Sequence, residues 1–257
     1  MTEWDAAEYA RRSSLQETMA HDVLALLELD RSERILDVGC GDGKITVQIA
    51  ERADKGTVVG VDPSRDMINF AAAHFGAVPN LRFKVADACR LPFEKEFNLV
   101  VSFNALHWIP DQETALRSMR STLANDGKAQ LRLVPKGPRK SLEDVVEEIR
   151  KTPRWNAYFA DFRDPYLHLT PEEYAALAER TGFSVLGVSN KDHAWNFGSR
   201  TAFAGFSAVG LVAWTNRLPA TERADFINDV LDRYQDVTGD RSGSIFKFYQ
   251  MDVALIV

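Results

Sequence analysis

The chain alternates short, β-branched apolar runs with stretches of helical spacing, and this alternation confines it to a parallel sheet covered by helices on both faces. The runs are Arg34 to Val38, Thr57 to Val61, Leu81 to Val85, Phe97 to Phe103 and Lys128 to Val134. Helical spacing fills the gaps at Ile45, Val47, Ile49 and Ala50, over Arg65 to Phe75, and over Gln112 to Leu123. A further helix is expected over Leu15 to Leu29, where Met19, Val23, Leu26 and Leu27 share a face. At 257 residues, one elaborated domain over residues 1–257 is expected, large enough to bury a substantial core.

The rhythm breaks after Pro135. Residues 136–168 mix a charged helix over Leu142 to Lys151 with Trp155, Tyr158, Phe159 and Tyr166. Regular order resumes with a helix after Thr170, which has a Thr-Pro-Glu-Glu start and ends at Gly182, and with a strand from Ser184. Residues 198–240 hold two more helices, Phe203 to Trp214 and Thr221 to Val237, before a last strand over Ile245 to Val257. The two segments are expected to be insertions, after the fifth and sixth strands, that form a helical lid.

The formal charge of -6 argues against a nucleic-acid partner, whose phosphates would call for clustered Lys and Arg. Cys40 and Cys89 lack the paired spacing of a zinc site, so no metal is expected. Residues Met1 to Tyr9 show no basic region leading into an apolar stretch, and no apolar run has membrane-spanning length. The expectation is a cytoplasmic protein that does not partner a membrane.

The loop after the first run reads Asp37-Val38-Gly39-Cys40-Gly41-Asp42-Gly43. Glycines at the carboxyl end of a parallel strand let the backbone approach a ligand, and the helix that follows offers unpaired N–H groups. A dinucleotide site is the main rival, but it wants a third glycine where Lys44 stands. Asp37 would also add negative charge beside a pyrophosphate, whereas it suits a cationic ligand. Asp62, followed by Pro63, ends the second run and is placed to accept from ribose hydroxyls, a feature shared with dinucleotide sites. Asp87, followed by Ala88, ends the third run at the expected adenine edge. Any one of these aspartates could instead be a helix N-cap; three at successive strand ends are harder to explain that way.

With these residues the sequence resembles the class I S-adenosylmethionine-dependent methyltransferases. The likeness covers Ile35 to Val134 and, more loosely, the last two strands. It implies an α/β, Rossmann-like seven-stranded sheet, an antiparallel strand near the C-terminus, and S-adenosyl-L-methionine as cofactor. The expected cofactor neighbours are Gly39, Cys40 and Gly41, then Asp62, Pro63 and Met67, then Asp87 and Ala88, with Asn104 after the fourth strand. Met67 could equally be a core residue.

The fourth run ends Phe103-Asn104-Ala105-Leu106-His107-Trp108-Ile109-Pro110-Asp111. Together with Tyr9 to Gln16, and with Lys151 to Trp155, this segment resembles the juvenile hormone acid methyltransferases and, more distantly, trans-aconitate methyltransferases. That resemblance implies a small carboxylic acid as methyl acceptor, held by Gln16 and Trp108. A carboxylate is already ionised at neutral pH, so alignment matters more than a base. The lid aromatics, including Trp195, Phe197, Phe206 and Trp214, favour a largely apolar acid if they line a pocket, and core packing is their ordinary alternative. Arg154, Arg163 and Arg200 leave a polyacid open. Two other readings stand beside this one. One is methylation of a phenol or amine with His107 as base; the other is a non-catalytic S-adenosylmethionine-binding regulator.

Overall fold

A computed structural model of the chain describes residues 22–25 and 27–257. The strands are β1 (Arg34–Val38), β2 (Thr57–Asp62), β3 (Leu81–Val85), β4 (Phe97–Phe103), β5 (Leu123–Leu133), β6 (Ser184–Asn196) and β7 (Ile245–Ile256). The helices are α1 (Lys44–Arg52), α2 (Arg65–Phe75), α3 (Gln112–Thr122), α4 (Leu142–Ile149), α5 (Pro171–Arg180), α6 (Arg200–Gly210), α7 (Val212–Thr215) and α8 (Arg223–Thr238). Three short 3-10 turns follow β3, β4 and α4.

The seven strands form one sheet in the order β3-β2-β1-β4-β5-β7-β6. The first five pair in parallel, and β7 is antiparallel to both of its neighbours. Strand side chains alternate between two hydrophobic layers. Leu36, Val100 and Leu131 meet Ala115, Leu116 and Met119 of α3 and Tyr174 and Leu177 of α5. Ile35, Leu99 and Val101 meet Ile49 and Ala50 of α1, together with Val23 and Leu24. Helices therefore cover both faces.

A third cluster lies outside these layers. It joins Leu142, Val145 and Val146 of α4 to Trp155, Phe159, Phe203, Leu211 and Trp214, and to Phe226, Val230, Leu231 and Tyr234 of α8. Its polar ends are closed internally: Trp155 Nε1 donates to Asp229 (2.8 Å) and Trp214 Nε1 to Glu147 (2.9 Å). The helices after β5 and β6 thus have a core of their own.

Local chemistry accounts for several boundaries. Thr170 and Glu173 form a reciprocal capping box that starts α5. Four spans depart from the sequence expectation. Strand β5 begins at Leu123 because the chain pairs with Phe97 as soon as α3 ends. The stretch from Phe203 to Trp214 splits into α6 and α7 at Leu211. Helix α4 stops at Ile149, beyond which the Lys151 and Thr152 N–H groups donate to Glu148 O and Ile149 O, three residues back instead of four. Of the first helix, Asp22 to Ala25 are helical, whereas Leu27 and Leu29 are not.

Candidate active site

The strand order reverses between β1 and β4, so the loops after these strands face each other across the crevice where such sheets bind ligands. Gly39 adopts φ 78°, and a side chain there would run into Ala105 Cβ. That packing brings the two loops together. Gly41 also has positive φ, at 53°, yet among the described residues a Cβ there would meet nothing within 4 Å. The loop is tied down by N–H groups of Gly39 and Cys40 donating to Val61 O at 2.8 and 3.0 Å.

Two carboxylates lie beneath this loop. Asp62 accepts from Gly41 N (3.1 Å) and from Ser64 N (2.8 Å), linking the first loop to the start of α2. Asp37 is buried and accepts from Thr46 Oγ1 at 2.7 Å. Burial pushes the Asp37 carboxyl up to about 7, against the Thr46 hydrogen bond, and the nearby Asp62 charge adds to the rise. Burial likewise pushes the Asp62 carboxyl above its ordinary range. Two acids held in this way make a site that favours positive charge.

The other first-loop and third-loop residues divide. Cys40 is buried and packs against Gly60, and burial beside Asp37 and Asp62 raises its thiol well above the ordinary value. Pro63 is exposed and Met67 is buried in the first turn of α2. Asp87 is exposed and caps the turn Ala88–Arg90 by accepting from Cys89 N at 2.9 Å. Its N-cap role is therefore present at this strand end. Ala88 belongs to the core under α3.

After β4, Asn104 takes φ 57° and its N–H donates to Arg132 O at 2.7 Å. Its side-chain Oδ1 is buried with no hydrogen-bond partner among the described residues. His107 is buried, with Nδ1 facing Val134 N at 3.4 Å. Burial, aided by His168, depresses its imidazole to about 3. Trp108 lies 4.0 Å from Tyr166, centroid to centroid, and packs against the third hydrophobic cluster. Gln16 lies outside the described residues.

Several contacts around these residues carry no local sequence signal. Gln112 Nε2 donates to both Leu106 O and Leu167 O at 3.0 Å, stapling the post-β4 loop to the segment before α5. Tyr166 and His168 then complete an aromatic wall beside His107, at 5.2 and 6.2 Å. Thr46 reads in sequence as an ordinary helix residue, and only its proximity to Asp37 marks it. Trp155, Phe159, Phe203, Leu211 and Trp214, in the segments after β5 and β6, are each at most 3% exposed and form core rather than pocket wall. Arg154 is held by Asp225 and Asp229, and Arg200 by Asp232 and Gln235, so both tie their segments to α8.

A family model for a methyltransferase domain matches residues 35–127. The trans-aconitate 2-methyltransferase of Delftia acidovorans is 26% identical over 253 residues, 94% of this chain and 93% of its own length. The juvenile hormone acid O-methyltransferase of Bombyx mori is 30% identical over 201 residues, 71% of this chain and 70% of its own. Among solved structures, the YcgJ protein of a Bacillus species superposes with TM-score 0.65 at 19% identity, covering 93% of this chain and 98% of that one. Phosphoethanolamine N-methyltransferase 2 of Haemonchus contortus, solved with S-adenosyl-L-methionine, gives TM-score 0.59 at 18% identity over 93% of this chain and 52% of that one. With the glycine loop, the strand-end acids and the antiparallel β7 in place, the chain is a member of the class I S-adenosylmethionine-dependent methyltransferases.

Proposed function

We propose that the protein transfers a methyl group to the carboxylate of a small, largely apolar organic acid, with residues 136–168 and 198–240 acting as a lid over the acceptor. The cofactor loops fit S-adenosyl-L-methionine. Among the described residues nothing stands within 4 Å of a Cβ at Gly41 and no donor reaches Asn104 Oδ1, while Asp37 and Asp62 favour a cation. In this reading Gly39, Cys40 and Gly41 lie along the amino-acid part of the cofactor and Asp37 balances its positive charge. Asp62 and Pro63 face the ribose, Met67, Asp87 and Ala88 the adenine, and Asn104 the end nearest the acceptor. When bound, the cofactor supplies an electrophilic methyl group on a sulfonium.

The observation that carries the acceptor class is His107. An imidazole depressed to about 3 is a poor base for a phenol of ordinary pKa near 10, a gap of roughly 9 kcal/mol. A carboxylate needs no proton removed. Its requirement is alignment with the methyl carbon, which orientation alone can favour by up to roughly 7–11 kcal/mol. Trp108, on the boundary between the post-β4 loop and the lid, is the orienting donor in this reading, with Gln16 as its partner. The two carboxylate-methylating relatives support the same acceptor class.

The test is a panel of fatty and terpenoid acids, phenols and amines with S-adenosyl-L-methionine. Acids should be methylated, and His107→Asn should leave their turnover within about threefold, while Trp108→Phe should raise KM for the best acid at least about tenfold. Turnover confined to phenols or amines and abolished by His107→Asn would reverse the assignment.

A further inference from the structure

The antiparallel pair β6–β7 carries a second group of buried polar atoms that the cofactor loops leave unused. Side chains two apart on a strand share a face, so Asp252, Gln250, Phe248 and Phe246 form one row along β7. Their cross-strand neighbours on β6 are Ser189, Lys191, His193 and Trp195. At its inner end the row meets Arg132, which pairs with Asp252 across β5 and β7 and with Phe103 across β4 and β5. The row therefore starts beside the post-β4 loop and runs outward to the lid.

Its chemistry changes along that path. At the inner end Arg132 and Asp252 are both buried and joined by two hydrogen bonds, Nε to Oδ1 at 2.6 Å and an Nη to Oδ2 at 3.0 Å. Next comes Gln250, 4% exposed, whose Nε2 has no hydrogen-bond partner among the described residues. The outer end is aromatic. Phe248 stacks on His193 at 5.4 Å and on Phe246 at 4.8 Å, and Phe246 meets Phe203 and Phe206 of the lid.

A buried amide with unused N–H donors is costly, and an apolar residue of similar size would avoid the cost. We propose that Gln250 binds the acceptor, its Nε2 donating to the carboxylate of an organic acid whose apolar part lies along Phe248 and Phe246. This rests on the carboxylate reading above and adds to it a residue and a direction. A neutral amide orients a carboxylate without quenching its nucleophilicity, whereas the charge of Arg132 is balanced by Asp252.

The experiment compares full-length wild type with Gln250→Leu, Gln250→Glu and Phe248→Ala, using dodecanoate and butanoate as acceptors. Thermal midpoint and S-adenosylhomocysteine affinity are measured alongside. Gln250→Leu should raise KM for both acids about tenfold or more, with a thermal midpoint equal to or above wild type and unchanged cofactor affinity. Gln250→Glu, which sets like charges together, should lose more. Phe248→Ala should raise KM for dodecanoate and leave butanoate within about twofold. If wild type turns over dodecanoate and Gln250→Leu shows unchanged KM, the role of Gln250 is overturned and the carboxylate reading survives. A Gln250→Leu protein that loses stability and cofactor affinity together also overturns it, as a purely structural residue. A wild type that methylates no acid overturns both.

Discussion

Acidification should weaken cofactor binding through Asp37. Its carboxyl stands at about 7 in the ligand-free protein because burial disfavours the ionised form. A cationic ligand favours that form, so binding drives Asp37 to release a proton and affinity rises with pH until Asp37 is ionised without help. At about pH 5.5 only about 3% of Asp37 is ionised when its pKa is about 7, and affinity should be about 30-fold below its value at about pH 8. Asp62 is shifted upward as well and adds to the slope. Folding runs the other way. A carboxyl raised in the folded state binds more protons there than in the unfolded chain, so ligand-free stability falls as pH climbs from about 4 to about 7. The full span, from the ordinary 3.8 to about 7, corresponds to roughly 4 kcal/mol. Calorimetric titration of S-adenosyl-L-methionine in buffers of different ionisation enthalpy measures both affinity and protons released. Asp37→Asn should flatten the stability slope and lower affinity at about pH 8 by about tenfold or more. Constant affinity across the range, with Asp37→Asn binding like wild type, would refute the role given to Asp37.

Two further outcomes are expected. Gly39→Ala combines a left-handed backbone with overlap on Ala105 Cβ and should cost about 3 kcal/mol or more, read as a lowered chemical-denaturation midpoint; a cost below about 1 kcal/mol would show that the two loops are not locked together. Asp252→Ala breaks the buried Arg132–Asp252 ion pair and should cost about 3–5 kcal/mol, while Arg132→Met combined with Asp252→Leu should recover most of that stability; thermal unfolding of the single and double variants measures the difference.

The half of the candidate site proposed to hold the cofactor was legible in the chain because it is made of contiguous segments. A glycine loop that ends a strand, or an acid at the next strand end, needs no knowledge of distant residues, and Asp37, Gly39, Gly41 and Asp62 meet where strand order predicts. The half proposed to hold the acceptor was not. Gln112 acts by reaching Leu167, and Gln250 takes its neighbours from β5 and β6, so neither carries a local signal. The lid aromatics have helical spacing whether they line a pocket or pack together, and spacing cannot separate the two. At Trp155 and Trp214 packing won, as their burial makes plain.

By itself the sequence determined the order of strands and helices, the two covered faces and the glycine loop, because period, capping and turn chemistry act over a few residues. Tertiary structure decided the protonation of Asp37 and His107, the insertion of β7 between β5 and β6, and the row from Asp252 to Phe246. Those properties depend on burial and on partners far away in the chain, and desolvation exists only once the chain has closed over the group it affects.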